Sequence, residues 1–562
     1  QMTDHERPRL ITTASGEENA DLVIKNATVA DVFGGGWLHG DVAVTGGRIA
    51  GVGSYSGKTE TDGSGKYVLP AFYDAHLHFE SVAVRPSEYL RLTVPRGVTA
   101  YNADPHEIAN VCGMRGVEFM LNDVRGVPAD VHMMMPSCVP ATGEDRSGAH
   151  LTAKDAERGK KLGLFGLGEM MNVPGVLGCD KDVIKKLGVF GIIDGHAPAL
   201  SGGALSAYAA AGVLTDHECT TVEEANDRIS RGMYVIMREG SQAKNVRALC
   251  RAVNDYNADR FLFCTDDRNL SDVAEHGTID NCVRIAVSCG ISPIRAIKIA
   301  SQNAFAAYGI RGKGAIAPGY AADMFVCSDP AECVAEEVYY AGALVARSGE
   351  PLFARSGADA SDLRGTVVLP AMTEEDLALP FTSGMPVIEV MPGTLYTALS
   401  TAESPEGLNL MCCIERHRAL GEIGRAYVRG FGLRGGAIAQ TVGHDSHNIT
   451  VLGDNTRDML LAVRALGSDG GFAVCSGGRI TAKTDLEIGG LMSMGSAADA
   501  LKARRELNAA VSALGHAEGI EPLMLLSFLT LTVIPDVKLN TKGLYDVARG
   551  RYVYRCDKKE NR

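Results

Sequence analysis

The sequence lacks the features that mark membrane proteins, disulfide-stabilised proteins and nucleic-acid-binding proteins. No apolar run reaches about 18 residues, the length needed to cross a bilayer. The 14 cysteines form no CxxC pair and no regular framework, which predicts free thiols in a reducing compartment. Positive charge is in deficit: the net charge of −13 argues against a nucleic-acid or anionic-membrane partner. The N-terminal segment is polar, unlike a signal peptide, so we expect a cytoplasmic protein.

What the sequence does contain is a change of pattern along the chain. Short strand-like segments separated by Gly-Gly pairs occupy residues 20–70, and a similar pattern returns at 314–350. We therefore predict one small β-sandwich-like domain built from both flanks, residues 1–70 plus 311–360. Residues 365–562 combine Gly-rich turns, strand-like pieces and a helix, and are predicted to form a C-terminal α/β or α+β domain. Within it, the apolar segment 523–534 is expected to be a buried strand or core helix.

Eight apolar, strand-like runs alternate with amphipathic segments between residues 71 and 310. Alternation of strands and helices implies a parallel sheet with helical crossovers. Eight such units match a (β/α)8 TIM-like barrel, for which about 250 residues are typical. The fold class predicted for the whole chain is therefore α/β. An open doubly wound sheet is the alternative that the same alternation allows.

Metal-ligating side chains stand at the ends of these runs. His76 and His78 end the first run, and residues i and i+2 of a strand point to the same face. The corresponding residues of the later runs are Asp104, His106, Glu107, Glu169, His196, His217 and Asp266. Because the carboxyl ends of barrel strands converge on one site, these residues are expected to meet. Four histidines and two carboxylates can hold two divalent ions, with Glu169 bridging them.

Several longer stretches resemble the bacterial adenine deaminases of the amidohydrolase superfamily. They are DAHLHFES, DPHEIANV, GLGEMMNVPGV, DGHAP and CTDDR in the central block, and VGHDSHNITVLG and PLMLLSFLTLTVIPDVKL beyond it. The resemblance covers nearly the whole chain. It implies conversion of adenine and water to hypoxanthine and ammonia, with two divalent metal ions (manganese, iron or zinc) as cofactors. The expected nucleophile is a hydroxide shared between the two ions.

The resemblance also implies a ligand set. By position, the ligands would be His76, His78 and Asp266 for one ion, His196 and His217 for the other, and Glu169 between them. We expect Asp266 to act as general base and then as general acid, with a purely ligating role as the alternative. Asp267 is the less favoured ligand, and an exchange of roles between the two aspartates stays open.

Attack at C6 of adenine builds charge on N1, so a proton donor is expected near that nitrogen. Glu107 is the candidate, with Asp104 and His106 orienting it or contacting the purine. The alternative is a helix-capping box, because Asp104 and Glu107 are three positions apart. Arg238, at the end of the seventh run, is expected to be a buried ion-pair partner rather than a substrate contact.

Residues His444–Asn448 form a dense polar cluster that could be an added metal site, a lid or an ordered turn. A structural or lid role is favoured, without a catalytic assignment. Two other functions stay open: hydrolysis of another aminopurine or a cyclic amide, and metal binding without turnover. The expected partner is a small molecule, and the flanking domains offer surface for a homodimer or a higher homo-oligomer.

Overall fold

The chain begins with a β-rich segment in the computed structural model, which describes residues 6–355 and 357–556. The first elements are α1 (Glu6–Ala14), β1 (Ala20–Asp31), β2 (Gly36–Thr45), β3 (Arg48–Gly53), β4 (Gly57–Asp62) and β5 (Tyr67–Pro70). β1 pairs antiparallel with β2 and parallel with β4 and β5. Gly46 and Gly47 join β2 to β3 with φ values of 58° and 76°, the left-handed region that glycine adopts without steric cost.

Eight strands follow, and each lies within one of the eight apolar runs of the sequence. They are β6 (Phe72–Leu77), β7 (Val98–Ala103), β8 (Asp130–Met133), β9 (Leu167–Met170), β10 (Ile193–Gly195), β11 (Thr215–Asp216), β12 (Tyr234–Arg238) and β13 (Phe261–Cys264). Parallel pairing joins β6 to β7 to β8, β9 to β10, and β11 to β12 to β13. Most of their side chains are buried, as expected for parallel strands that are covered on both faces.

Main-chain hydrogen bonds also link these three groups of strands. They run from Met135 N to Gly166 O (2.8 Å), from Leu214 N to Ile193 O (2.9 Å) and from Asp266 N to His76 O (3.0 Å). The first joins the chain after β8 to the start of β9, the second joins β11 to β10, and the third joins the end of β13 to β6.

Helices occupy the connections between the parallel strands and the segment that follows the last of these strands. They are α2 (Pro86–Thr93), α3 (His106–Cys112), α4 (Met114–Asp123), α5 (Ala153–Leu162), α6 (Val173–Leu177), α7 (Lys181–Leu187), α8 (Gly202–Ala210), α9 (Val222–Ile229), α10 (Val246–Leu249), α11 (Leu270–His276), α12 (Ile279–Ser288), α13 (Pro293–Ala300) and α14 (Gln302–Ala307). Local sequence sets some of their starts: α9 begins at a capping box in which Thr221 and Glu224 each bond the other's backbone N–H.

The chain then returns to the first sheet. The added strands are β14 (Met324–Cys327), β15 (Ala335–Tyr340), β16 (Ala343–Arg347) and β17 (Glu350–Pro351). β14 pairs antiparallel with β5, so strands from both flanks of the central block share one nine-stranded sheet. Its apolar core includes Val29, Val68, Met324 and Val326.

A second large sheet, here called the C-terminal sheet, follows. Its segment contains α15 (Glu374–Leu377), β18 (Met385–Val390), β19 (Thr397–Ala402), β20 (Leu408–Ile414), β21 (Ile423–Arg429), β22 (Gly436–Gln440), β23 (Ile449–Gly453), α16 (Thr456–Ala465), β24 (Gly471–Ser476), β25 (Arg479–Asp485) and α17 (Ala497–Ala513). The strand order is β19-β18-β21-β20-β23-β22-β24-β25. Helix α16 packs on one face through Met459 and Val463.

The last part of the chain connects the C-terminal sheet to the parallel strands. Its elements are α18 (Pro522–Phe528), β26 (Val537–Asn540), β27 (Gly543–Asp546) and β28 (Arg551–Arg555). Helix α18 forms the first part of the apolar segment 523–534, for which the sequence allowed either a strand or a helix. We call residues 522–534 the roof segment. Thr532 Oγ1 in this segment donates to Asp145 Oδ2 at 2.6 Å. Among the described residues, no helix is long and apolar enough to span a membrane.

Candidate active site

The two histidines of the HxH motif lie at the end of β6 with their rings buried. His78 Nδ1 lies 2.9 Å from the main-chain O of Asp104. A carbonyl oxygen only accepts, so Nδ1 carries the hydrogen and Nε2 presents its lone pair to the site. An imidazole oriented in this way is prepared to bind a metal ion.

Two carboxylates face these histidines. Asp266 Oδ1 is 3.6 Å from His76 Nε2 and 3.2 Å from His78 Nε2. Glu169 Oε1 is 3.7 Å and 3.3 Å from the same two nitrogens. These four side chains come from the ends of three different strands, β6, β9 and β13, and point at one another. We call them the first ligand group.

The other oxygen of Glu169 faces a second set of histidines. Glu169 Oε2 is 2.9 Å from His196 Nδ1 and 3.3 Å from His217 Nε2, and these two nitrogens are 3.4 Å apart. His196 and His217 follow β10 and β11 directly. Glu169 therefore lies between the first ligand group and this second ligand group, with one oxygen turned to each.

The spacing of these atoms fits metal coordination. Two ligands at about 2.1 Å from one tetrahedral ion are about 3.4 Å apart, close to the separations in both groups. His76 Nε2 is fully buried without a hydrogen-bond partner among the described residues, as a ligand atom would be. Burial and the adjacent His217 lower the pKa of His76, which favours the neutral, ligating form. These clusters could therefore hold metal ions.

Neighbouring side chains fix the carboxylates in place. Glu169 N donates to Asp104 Oδ2 at 2.9 Å, which orients the end of β9. Arg238 Nη1 is 2.6 Å from both Asp266 Oδ2 and Glu218 Oε1, in the buried ion pair expected for this arginine. Burial raises the pKa of Asp266, but Arg238 and the neighbouring histidines together outweigh burial and lower that pKa well below its usual range.

The capping box proposed as an alternative for Asp104 and Glu107 is absent from the structure. Helix α3 starts after Pro105, which provides no side-chain cap, and its Ile108 N–H donates instead to Glu80 Oε1 at 3.0 Å. His106 Nδ1 lies 3.5 Å from both Asp104 Oδ2 and Glu169 Oε1, and His106 Nε2 lies 3.3 Å from Glu107 Oε1. These side chains turn into the site because Asp104 bonds the Glu169 backbone instead of the helix start.

The polar cluster at 444–448 covers this site. Its loop joins β22 to β23 of the C-terminal sheet, and His444 and Asp445 line the same cavity as both ligand groups. The roof segment lines it too, through Phe528, Leu531 and Ile534. The cavity has a volume of about 20 Å³.

Residues outside the sequence-based assignment also enter the site. Glu218 Oε1 lies 3.6 Å from His196 Nδ1 and 3.5 Å from His217 Nε2. Because Glu218 directly follows His217 in the sequence, its place in the site could have been predicted. Asp267 lines the same cavity but belongs to neither ligand group: it accepts a hydrogen bond from Ser81 Oγ, and Asp267 Oδ1 is 3.7 Å from His444 Nε2.

Comparison with known families agrees with this architecture. Residues 67–346, which carry both ligand groups, match the amidohydrolase family, and residues 394–551 match the adenine deaminase C-terminal domain. Among solved structures, an enamidase of the amidohydrolase superfamily aligns with 60% of this chain and 98% of its own at a TM-score of 0.45 and 17% identity. The site and the first match define the class as amidohydrolase.

Full-length relatives define the family more narrowly. An adenine deaminase of Nitratidesulfovibrio vulgaris is 43% identical over 96% of this chain and 97% of its own. Adenine deaminases of Clostridium acetobutylicum and Geobacillus kaustophilus are 42% and 40% identical, each over 97% of this chain and over 99% and 98% of their own lengths. The chain belongs to the adenine deaminase family, and the resemblance noted in its sequence is confirmed.

Proposed function

We propose that this chain converts adenine and water to hypoxanthine and ammonia, the activity for which its full-length relatives are named. The observation that carries this proposal is the position of Glu169, whose two oxygens face two separate histidine groups. One carboxylate between two ligand groups is the arrangement that a pair of metal ions requires.

We propose that the eight parallel strands close into a (β/α)8 barrel. The hydrogen bonds between the three groups of strands support this, especially the one from Asp266 N to His76 O, which joins the last strand to the first. The ligands at successive strand ends agree with a barrel mouth. The proposed domains are residues 1–70 with 311–360, 71–310, and 365–562; the shared nine-stranded sheet and the C-terminal sheet support this division.

The proposed ligands are His76, His78 and Asp266 for one divalent ion, His196 and His217 for the other, and Glu169 for both. Imidazole and carboxylate ligands accept manganese, iron or zinc. When bound, such ions would lower the pKa of a coordinated water towards neutrality and so supply a nucleophile at neutral pH. Arg238 keeps Asp266 ionised, and Asp104 holds Glu169 in place.

Proton transfers are assigned to two carboxylates. Asp266, which Arg238 holds beside His76 and His78, accepts the proton of the attacking water and passes it to the departing amine. Glu107 lines the same cavity, with His106 3.3 Å away and Asp104 on the other side of His106. It takes the second proton of the attacking water and delivers it to the ring nitrogen next to C6. The incoming oxygen stays on C6, and the amine leaves as ammonia.

An ammonia-release assay with adenine, other aminopurines and cyclic amides tests this function. The expected result is the highest kcat/KM with adenine. A preference for another aminopurine or a cyclic amide would contradict the proposed substrate but not the proposed metal site. Metal binding without turnover of any of these compounds would indicate a binding protein instead of an enzyme.

Two further proposals concern the whole protein. We propose a homodimer or higher homo-oligomer, supported by the surface that the two additional sheets offer, and light scattering of the purified protein tests it. We also propose the cytoplasm as its location, because the 14 cysteines show no disulfide framework. The proposed small-molecule substrate and the net charge of −13 are consistent with function without nucleic acid or a membrane.

A further inference from the structure

Glu107 makes its closest contacts with a part of the chain that lies more than 300 residues away. The loop between β22 and β23 brings His444 and His447 of the C-terminal sheet to this carboxylate. His444 Nδ1 contacts Glu107 Oε1, and His447 Nε2 contacts Glu107 Oε2. Each oxygen of the carboxylate therefore has an imidazole from the C-terminal sheet as its neighbour.

The hydrogen bonds of His447 fix its tautomer. The main-chain N–H of Gly443 donates to His447 Nδ1 at 3.1 Å. A nitrogen that accepts this bond carries no hydrogen, so in the neutral ring the hydrogen is on Nε2. Burial lowers the pKa of His447, in agreement with a neutral ring. His447 Nε2, with its hydrogen, therefore faces Glu107 Oε2.

His444 is held equally firmly, by the roof segment. Its ring stacks on Phe528 with centroids 4.4 Å apart and an interplanar angle of 7°. Its main-chain N–H donates to Ser527 O at 3.1 Å, and its main-chain O accepts from Thr530 Oγ1 at 3.0 Å. His444 Nε2 is buried, has no hydrogen-bond partner among the described residues, and belongs to a ring that lines the cavity.

A buried carboxylate needs such neighbours. Glu107 is 1% exposed, and burial raises the pKa of a carboxyl group. The imidazoles of His444, His447 and His106 outweigh burial and lower the pKa of Glu107. A carboxylate with both oxygens engaged is also held in one orientation, which proton transfer in an active site requires.

We propose that His444 and His447 are positioning residues for the deamination: they hold Glu107 against the ring nitrogen of the purine, so the C-terminal sheet completes the active site. This inference rests on the proposed function and deepens it. His447 acts only through Glu107. His444 acts through Glu107 with Nδ1 and presents Nε2 to the substrate.

Two substitutions at position 447 separate positioning from folding. His447 has φ of 52°, in the left-handed region where asparagine is among the best tolerated residues. In H447N the amide oxygen can still accept from Gly443 N–H, but the side chain is too short to reach Glu107. In H447Q the amide N–H extends to about the place of Nε2. Exposed His516 in the same part of the chain supplies the control, H516N.

The expected result is a loss of kcat for adenine of about 10-fold to 100-fold in H447N, the usual effect of removing a residue that orients a catalytic group. KM, metal content and Tm stay at their wild-type values. H447Q keeps a higher kcat than H447N, and H516N matches wild type. Equal kcat for H447N and wild type would overturn the inference, as would equal losses in H447N and H447Q.

A double-mutant cycle shows whether His447 acts through Glu107. In the E107Q background, H447N is expected to cause no further loss, because the group that it positions is already gone. Independent, multiplicative losses would contradict the inference. At position 444, the shorter H444N keeps an amide near Glu107 but loses the cavity-facing nitrogen, so it is expected to raise KM for adenine. An unchanged KM would contradict the proposed contact between His444 Nε2 and the substrate.

Assays of the wild-type protein separate a failure of the proposed function from a failure of this inference. If wild type releases no ammonia from adenine, the proposed function fails. If wild type is active and H447N is equally active with unchanged metal content, the proposed function stands and this inference fails. Thermal unfolding of each variant is measured in parallel, so that a variant that does not fold is recognised. If H447N does not fold, H447G, which suits the left-handed backbone at this position, takes its place in the kcat comparison and in the E107Q cycle.

Discussion

Glu107 illustrates how much depends on one side chain in this site. Its carboxylate lies beside His106, His444 and His447 and faces the cavity between the two ligand groups. We expect E107Q to lower kcat for adenine by about 100-fold to 10,000-fold, because glutamine cannot transfer a proton. Metal content is expected to match wild type, since Glu107 is outside the proposed ligand set.

The matched control for E107Q is E118Q on helix α4, a glutamate whose partner is Arg158 near the surface. Steady-state ammonia release and metal analysis of both variants provide the measurement. Normal turnover by E107Q would remove the assigned role of Glu107.

The buried amine of Lys538 leads us to predict that the stability of the folded protein depends on pH, independently of the metal ions. It is fully buried in β26, its Nζ donates to Leu395 O at 2.8 Å, and burial lowers its pKa to about 7 despite Asp536. Between pH 7 and about pH 10 the unfolded chain binds the proton and the folded chain does not. The folded state therefore gains about 1.4 kcal/mol per pH unit over this range, relative to a variant without the amine.

The comparison variant is K538M, which keeps the length of the side chain and removes the charge. Thermal unfolding of both proteins across the neutral to alkaline range is the measurement. K538M is expected to be the more stable protein near pH 7, with an advantage that shrinks as pH rises. A constant difference in Tm would show that Lys538 stays charged in the folded protein.

The sequence predicted well which residues meet at the candidate site where local chain geometry determines their position. His76 and His78 share a strand face by alternation, and Glu169, His196 and Asp266 end consecutive strand-like runs. The contacts of Glu107 could not be read in this way. Nothing in the spacing of residues 104–107 indicates that His444, 337 positions later in the chain, would meet Glu107.

The loops after β10 and β11 depend on a buried ion pair. Arg228 on α9 donates from Nε to Asp216 Oδ2 at 2.8 Å and from Nη2 to Ala197 O at 2.7 Å. Asp216 Oδ1 in turn accepts from the main-chain N–H groups of Ala197 and Glu218. This network holds the residues that flank both histidines of the second ligand group.

R228M is therefore expected to destabilise the protein by about 3–5 kcal/mol, because it leaves the Asp216 carboxylate buried and unpaired. Metal occupancy is expected to fall as well. R231M is the matched control just beyond the same helix α9: Arg231 pairs with Asp227 at a partly exposed position, where an ion pair contributes about 0–1 kcal/mol. Similar Tm values for R228M and R231M would contradict this account.

Strands were easier to predict than helices in this chain. All eight runs contain a strand because apolar residues covered on both faces form short continuous blocks. The amphipathic segment from Asn245 to Ala258 forms no long helix: it contains the four-residue helix α10 and a 3-10 turn at Cys250–Ala252. Local pattern could not show that Asn245 uses its side chain to hold the ends of β11 and β12, through bonds to Arg238 N and Cys219 O.

The C-terminal sheet and the parallel strands meet at the reaction site. A cavity of about 20 Å³ holds about one water molecule, whereas small-molecule sites are typically above about 300 Å³. Adenine therefore enters only if the roof segment or the loop at 441–448 moves away from the strand ends. The sequence indicated a separate C-terminal unit and allowed a lid role for residues 444–448, but it did not show which residues they contact, because the partners are distant in the chain.

The central claim is that Glu169 and its two histidine groups hold a pair of ions on which deamination depends. The direct test is to remove metal from the purified protein with a chelator and titrate Mn²⁺ back while measuring ammonia release from adenine. We predict no activity without metal and a linear rise that ends at two equivalents per chain. Full activity at one equivalent, or activity in the metal-free protein, would contradict the account.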